Sequence, residues 1–145
     1  MILTGRDVQL YIASGKLKID PIAPEQFQQN GVDLILQAVD QPCGPTLSGF
    51  HLACTREVLT LPDDLMAFVC LRSTYARLGI LLPSTVVDAG FSGNLTLEIF
   101  ATRPVLAPYG ERFAHLVFAR LTGPAALYAG KYQGQWGITP ALPDP

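Results

Sequence analysis

Charged residues are scarce in this chain: they make up 15% of its 145 residues, against 49% hydrophobic residues. The net charge is -2, and the Lys and Arg residues form no basic stripe. Binding a nucleic-acid polymer requires many phosphate contacts from basic side chains, so we expect no such polymer as a partner. A small phosphorylated ligand needs only a few local donors and stays open.

Long apolar runs are also missing. The nearest candidate, "LGILLPSTVV", is interrupted by Pro83 and is too short to cross a bilayer. The N-terminal "MILTGRDVQLYIASGKLKID" has no basic region followed by an apolar stretch, as a secretory leader would have. We therefore expect no membrane segment and no leader.

Cysteine is rare, and its spacing excludes two kinds of site. Cys43, Cys54 and Cys70 are an odd set without a C-x-x-C pair, which favours reduced, mostly buried thiols over a disulfide framework and predicts a cytoplasmic protein. Neither His51 nor His115 begins the H-x-E motif of zinc-dependent deaminases. We expect no zinc and no other metal held by protein side chains.

Glycine and proline, by contrast, are frequent, with 13 and 12 residues spread along the chain. This distribution predicts short strands joined by tight turns, in one mainly β domain over residues 1–145. A short helix at about residues 5 to 13 is the exception, since Thr4 and Asp7 resemble a capping pair and Gly15 suits a helix end.

Five segments rich in Val, Leu, Ile and Phe are predicted to be strands, and five clusters of turn residues separate them. The predicted strands are "VDLILQAV", "FHLACTREVLTL", "LMAFVCL", "GNLTLEIF" and "FAHLVFARL". The predicted turns are "DQPCGPTLSG", "LPDD", "DAGFSG", "APYGE" and "TGP".

The segment "CLRSTYARLGI" combines two guanidinium groups and two hydroxyls within six positions, at Arg72, Ser73, Thr74 and Arg77. Such groups can hold phosphate oxygens through charge-assisted hydrogen bonds. The same composition also fits a solvated turn.

In "VVDAGFSGNLTLEIF", Asp88 lies at a glycine-flanked turn and Glu98 follows on a predicted strand. Strand alternation places Leu97 and its apolar neighbours on one face, and Thr96 and Glu98 on the other. On this pattern alone, an amphipathic strand with its polar face in water is the preferred explanation over a catalytic carboxylate.

The C-terminal "YAGKYQGQWGITP" places Tyr128, Lys131 and Gln135 among glycines. This segment, 128–145 with its extended end, could close over a ligand with Lys131 on phosphate. A polar, mobile tail is the alternative.

Taken in order, these segments resemble the dCTP deaminase family and its relatives, the trimeric dUTPases. The matching motifs are "MILTGRDV", "GVDLIL", "LRSTYARLG", "VVDAGFSGNLTLEIF", "YGERFAHLVF" and "GKYQGQWGITP". The resemblance implies a distorted, jelly-roll-like β-barrel of the dUTPase-like β-clip type. It also implies a homotrimer with active sites between subunits and a deoxynucleoside triphosphate as substrate.

The resemblance also assigns roles by position. Asp88 matches the residue that meets the deoxyribose 3'-hydroxyl, and Phe91 the aromatic residue beneath the sugar. Ser73 and Arg77 match residues near the reacting base, and Glu98 falls on the catalytic glutamate of the deaminases. The remaining implied substrate contacts are Arg72, Thr74, Thr96, Leu97, Tyr128, Lys131 and Gln135.

A deaminase without zinc needs another group to take a proton from water and deliver protons to the departing ammonia. One carboxylate in a water-poor pocket can act as both base and acid, which suits Glu98. Arg77 and Ser73 would position the water and offset developing charge. Because basic residues are few, we expect the triphosphate to arrive as a Mg²⁺ complex.

Some departures from the deaminase pattern keep other functions open. The stretch "LLPSTVVD" before Asp88 is shorter than in deaminases, Gly31 is diphosphatase-like, and His115 replaces a common Gln. Trp136 lies where diphosphatases place an aromatic residue over uracil. The alternatives are therefore a dUTP diphosphatase, a bifunctional enzyme that yields dUMP, and a non-catalytic nucleotide-binding trimer.

Overall fold

The computed structural model of the protein describes residues 1–40 and 44–145. This part contains two α-helices, one 3-10 helix and nine strands. The helices are α1 (Gly5–Ala13), α2 (Ser73–Arg77) and the 3-10 helix Pro24–Gln26. The strands are β1 (Lys18–Asp20), β2 (Phe27–Gln28), β3 (Gly31–Val39), β4 (Thr46–Thr60), β5 (Leu65–Leu71), β6 (Ile80–Leu81), β7 (Thr85–Val87), β8 (Ser92–Leu106) and β9 (Arg112–Arg120).

The strands form one antiparallel sheet that curls into a half-barrel. Its main path runs β6-β8-β4-β3-β9-β5-β7, with β1 added beside β4 and β2 beside β3. If this sheet were flat, its two end strands would lie about 29 Å apart at ~4.8 Å per strand. Yet β6 and β7 are joined by only residues 82–84, which can span at most about 14 Å. The sheet must therefore curl until its ends approach each other, as the prediction of a distorted, jelly-roll-like barrel required.

The core fills the inside of this curl. Strand alternation directs one set of side chains inward, and the largest of them, including Phe113, Phe118 and Leu116 from β9 and Leu97 and Ile99 from β8, are at most 1% exposed. Burying an aromatic or leucine side chain contributes about 2 kcal/mol, so these inward faces fix the strand register. The alternation predicted for Leu97 and Glu98 is confirmed, since Leu97 is buried and Glu98 is half-exposed.

The N-terminal helix is confirmed over Gly5–Ala13. The Thr4 hydroxyl accepts a hydrogen bond from the Asp7 backbone N–H at 3.1 Å, and the Asp7 carboxylate accepts one from the Thr4 backbone N–H at 3.0 Å. This reciprocal capping box satisfies two N–H groups that would otherwise lack partners. In the described residues, no helix is long and apolar enough to span a membrane.

The predicted strand boundaries were wrong mainly along β4 and β8, two 15-residue strands that pair over most of their length. Residues 46–49 were predicted as part of a turn but belong to β4, where Gly49 adopts φ 74 beside a bulge formed by residues 102–104 of β8, and the two strands stay paired on both sides of it. The rest of that predicted turn includes Cys43, which lies outside the described residues. The short strands β1, β2, β6 and β7 were missed because runs of two or three residues carry no periodic signal.

A bulge in β4 carries a buried polar network. Residues 55–57 bulge out opposite β8, and the Asn94 side chain donates hydrogen bonds to the backbone oxygens of Thr55 and Glu57, both at 3.1 Å. The Glu57 carboxylate is fully buried and accepts hydrogen bonds from the Gln26 amide and the Ile35 backbone N–H. Burial raises the pKa of Glu57, against the opposing effect of these donors. The network fixes Asn94 at the point where the C-terminal segment docks.

The close packing of β3 against β9 explains the glycine at position 31 without reference to the diphosphatases. The φ of Gly31 is 143, and a Cβ added there would lie 1.9 Å from the backbone oxygen of Leu116 and 3.2 Å from His115 Nε2. Only glycine allows β3 to pass this close to β9. The glycine therefore says more about the packing of these two strands than about the reaction.

We predict that Gly31→Ser lowers the free energy of unfolding by about 3 kcal/mol, because the new side chain must push β3 away from β9. Urea denaturation measures this loss. Gly123→Ser is the matched control, since a Cβ there has no neighbour within 4 Å. Equal stability of the two variants would show that the strands accommodate the side chain. Packing would then not explain Gly31, and its likeness to the diphosphatases would again bear on function.

Candidate active site

A cavity of about 480 Å³ opens between the curled sheet and the C-terminal segment. Strands from both ends of the sheet contribute to it, because the curl brings β7 opposite β4 and β8. Its walls are mostly apolar, with polar groups gathered on the sides formed by β8 and the tail. The lining residues are Phe50, Leu52, Val69, Thr85, Val86, Val87, Asp88, Phe91, Leu95, Thr96, Glu98, Tyr128, Tyr132, Gln135, Thr139 and Ala141.

Glu98 is the acidic residue that β8 directs into this cavity. It lies opposite Leu52 of β4, and Phe50 and Val69 also line the wall. The described residues offer its carboxylate neither a hydrogen bond nor an ion pair. A carboxylate held in apolar surroundings and free of protein partners is suited to proton transfer with a ligand or a water molecule.

Asp88 and Phe91 enter the cavity from the turn before β8. The Phe91 backbone N–H donates to the Asp88 backbone oxygen at 3.1 Å and closes the turn. The Asp88 side chain stays exposed. Phe91 is 6% exposed, and its ring centroid lies 5.9 Å from that of Tyr128 in a tilted arrangement. The two rings form an apolar floor beside one acceptor carboxylate.

The C-terminal segment docks along the first half of β8. The Gln135 side-chain amide donates to the Asn94 backbone oxygen at 2.7 Å, and the Asn94 backbone N–H donates to the Gln135 backbone oxygen at 3.1 Å. Farther along, the Thr139 backbone N–H donates to the Thr96 hydroxyl at 3.0 Å. A Cβ on Gly93 would lie 2.6 Å from the Gln135 oxygen, so this contact depends on glycine.

Lys131 lies outside the lining of the cavity. Its ammonium group donates to the Leu142 backbone oxygen and to the Asp144 carboxylate, at 2.7 and 2.6 Å, and lies 5.4 Å from the ring centroid of Tyr132. Asp144 is almost fully exposed, so this ion pair is weakly held and the ammonium group can exchange partners.

The segment around α2 forms a separate surface, and none of its predicted site residues lines the cavity. Ser73, Thr74 and Arg77 are exposed along the short helix. The sequence analysis considered a solvated turn here as the alternative to a phosphate-binding segment. The Arg77 side chain has no hydrogen bond or ion pair within residues 1–40 and 44–145. Arg103 of β8 holds the end of the helix by donating to the Leu78 backbone oxygen at 3.0 Å.

Arg72 precedes α2 and lines a second, polar pocket of about 410 Å³. Its Nε lies 3.1 Å from Asp33 Oδ2, and its Nη1 donates to the Arg112 backbone oxygen at 2.8 Å. The Tyr75 hydroxyl, in the same pocket, donates to Glu111 at 2.7 Å, and burial together with this carboxylate raises the pKa of Tyr75 to about 12. The phenol therefore stays a hydrogen-bond donor across the physiological range.

The structure thus gathers six of the predicted site residues in one cavity: Asp88, Phe91, Thr96, Glu98, Tyr128 and Gln135. The Leu97 side chain points into the core, so only its backbone could meet a ligand. The sequence missed the apolar wall of Phe50, Leu52, Val69 and Val86. Their positions depend on pairing between distant strands, for which one sequence gives no signal.

The described residues contain no group of three or more His, Cys, Asp or Glu side chains that could hold a metal ion. Cys54 and Cys70 are free thiols, as predicted, and Cys54 is buried. Cys43, the third cysteine predicted to be a reduced thiol, lies outside the described residues.

Comparisons with known proteins place this arrangement in a family. The family described as dCTP deaminase-like matches residues 45–121. The dCTP deaminase of Hyperthermus butylicus is 42% identical over 176 residues, covering 99% of this chain and 100% of that protein. A probable deoxyuridine 5'-triphosphate nucleotidohydrolase of Sulfolobus islandicus rod-shaped virus 1 is also 42% identical, over 158 residues, with 99% of this chain and 100% of the relative covered.

Two solved structures share the fold. The Agrobacterium tumefaciens 2'-deoxycytidine 5'-triphosphate deaminase has a TM-score of 0.67 at 23% identity over 83% of this chain, which spans about half (47%) of that protein. A Staphylococcus bacteriophage 80alpha dUTPase has a TM-score of 0.54 at 14% identity and covers 78% of this chain, with 95% of the dUTPase covered. The matched motifs, the curled sheet and the near-complete alignment with these relatives lead to one conclusion: the chain belongs to the dCTP deaminase-like family.

Proposed function

We propose that this protein hydrolyses the amino group of dCTP, giving dUTP and ammonia. The observation that carries the proposal is Glu98, a carboxylate that enters a mostly apolar cavity and has no hydrogen bond or ion pair to residues 1–40 and 44–145. A diphosphatase changes no bond of the base and needs no acid–base group beside it, whereas deamination requires one. The close relatives named dCTP deaminase support the same reaction.

In this mechanism Glu98 moves protons in both halves of the reaction. As base it takes a proton from water while the water oxygen forms a bond to C4 of cytosine, and it passes this proton to N3. It then takes the remaining proton from the new C4 hydroxyl and delivers it to the amino nitrogen, so that the C4–N bond breaks, a C4 carbonyl forms and ammonia leaves. One carboxylate suffices because each transfer returns it to its ionised state.

The other predicted residues bind and orient the substrate. Asp88 accepts a hydrogen bond from the deoxyribose 3'-hydroxyl, and the ring of Phe91 packs under the sugar where a 2'-hydroxyl would crowd it. Thr96 and the Leu97 backbone border the base, while Tyr128, Lys131 and Gln135 contact the triphosphate. The substrate itself is the Mg²⁺ complex of dCTP, since the few basic residues of this site neutralise only part of the triphosphate charge.

A second copy of the chain completes the site, in a homotrimer with active sites between subunits. The α2 surface carries the predicted phosphate and water contacts, Arg72, Ser73, Thr74 and Arg77, yet lies apart from the Glu98 cavity within one copy. An exposed apolar row of Leu81, Phe100 and Phe50, paired across β6, β8 and β4, borders that cavity and favours burial against another copy. Ser73 and Arg77 of the neighbouring copy would then orient the water and offset charge on the base.

A second function is hydrolysis of dUTP to dUMP, alone or after deamination. It is supported by the viral relative, which is as similar as the deaminases and is named for this reaction. Asp88 and Phe91 would serve either reaction, and the exposed Trp136 could cover the base. The free thiols Cys54 and Cys70 favour a reducing compartment, the cytoplasm, for both.

Glu98→Gln is expected to lower the rate of ammonia release from dCTP at least about a hundredfold, because the amide keeps the shape but cannot take a proton. An enzyme-coupled ammonia assay measures the rate, and nucleotide binding should persist. Asp63→Asn, an exposed turn carboxylate outside the site, is the control and should leave the rate unchanged. Full activity of the Glu98→Gln protein would remove the proposed mechanism.

Subunit mixing tests whether the site is shared. Glu98→Gln and Arg77→Ala chains, each inactive alone, should form mixed trimers with about one third of wild-type activity when co-expressed, since one of the three sites in each mixed trimer is intact. Two affinity tags allow the mixed trimers to be purified and assayed for ammonia release. No gain on mixing would place Glu98 and Arg77 in the same copy's site or remove Arg77 from the reaction.

Release of the tail tests its closure over the site. Gly93→Ala should displace residues 128–139 from β8 and weaken dCTP affinity about tenfold, because the methyl group meets the Gln135 backbone. Hydrogen exchange of these amides, with and without dCTP, is the measurement, and Gly123→Ala is the control. If the tail stays protected and affinity is unchanged, closure is not needed for binding.

A further inference from the structure

Asp33 is a buried carboxylate that the proposed mechanism does not use. It is 2% exposed and pairs with His115 across β3 and β9. His115 Nδ1 lies 2.8 Å from Asp33 Oδ1, and because a carboxylate only accepts, this nitrogen carries the proton. The other oxygen, Oδ2, lies 3.1 Å from Arg72 Nε and 3.5 Å from Arg112 Nη1.

This cluster is unusual as a device for stability alone. Replacing a buried ion pair with apolar residues is often neutral or stabilising, so a buried charged group is weak evidence of a purely structural role. In the described chain no hydrogen bond is aligned on Oδ2, which holds the two guanidinium groups by charge. The carboxylate thus brings two arginines to one place without consuming their directed donors.

The orientation of the Arg72 guanidinium is fixed by contacts on two of its sides. The guanidinium is held by Asp33 on the Nε side and by the hydrogen bond from Nη1 to the Arg112 backbone oxygen. A guanidinium carries five N–H donors in a rigid plane, so these two contacts fix the direction of the remaining donors of Arg72, which lines the polar pocket. Arg112 is held to the same carboxylate and donates to the Glu25 backbone oxygen at 2.8 Å.

We propose that Asp33 is a positioning residue that holds Arg72 in the orientation in which it binds the substrate's triphosphate, with Arg112 as a second donor at the same pocket. His115 serves this role by fixing the other carboxylate oxygen. The inference rests on the proposed function, which supplies the contact between Arg72 and phosphate. Asp33 itself touches no substrate.

The test compares ligands with and without the outer phosphates in an inactive background. In the Glu98→Gln protein, Asp33→Asn should weaken binding of Mg²⁺–dCTP about tenfold, and binding of dCMP less than about twofold, by calorimetry. In protein that also carries Arg72→Ala, Asp33→Asn should have no further effect on dCTP affinity, because the group it positions is gone. Asp63→Asn is the matched control and should change neither affinity.

A merely structural role gives a different pattern. Equal losses for dCTP and dCMP, or effects of Asp33→Asn and Arg72→Ala that add independently, would overturn the proposal. If Asp33→Asn fails to fold, Arg72→Lys replaces it: the lysine keeps the charge but loses the planar guanidinium held by Asp33, and dCTP affinity should again fall about tenfold. Affinity equal to that of the parent protein would overturn the proposal. Failure of the proposed function appears separately, as absence of ammonia from the wild-type protein.

Discussion

The short connection between β6 and β7 is the constraint on which the rest of the structure depends. Residues 82–84 join the two ends of the sheet path, so the sheet has to curl. Val86 of β7, Phe50 of β4 and Glu98 of β8 thereby line one cavity. Without the curl, Glu98 would be an ordinary polar residue on the outer face of a strand.

Local signals in the sequence predicted those features that depend on neighbouring residues. The period of two around Glu98 predicted its face, and the Thr4 and Asp7 pair predicted the first helix. The wall of Phe50, Leu52 and Val69 could not be predicted in this way, because its residues meet through pairing of strands far apart in the chain. The cluster around Asp33 was missed for the same reason, since Arg72, Arg112 and His115 come from β9 and the end of β5.

The predicted site residues divide between two surfaces, and this division has a chemical consequence. The cavity offers the carboxylates of Glu98 and Asp88, apolar walls and a docked tail, which suit the base and the sugar. The α2 surface offers hydroxyl and guanidinium groups, which suit phosphate and developing charge. In the proposed enzyme, one copy supplies the acid–base group Glu98 and the α2 surface of a neighbouring copy supplies the cationic groups, so assembly and catalysis are coupled.

Overall similarity cannot separate the two reactions, because relatives of equal identity are named for each. The most direct measurement is therefore to incubate the purified wild-type protein with dCTP and Mg²⁺ and to resolve the nucleotides by chromatography. The account predicts dUTP as the product, or dUMP with pyrophosphate if the second activity follows in the same site. Unchanged dCTP, under conditions in which added dUTP is hydrolysed to dUMP, would contradict it.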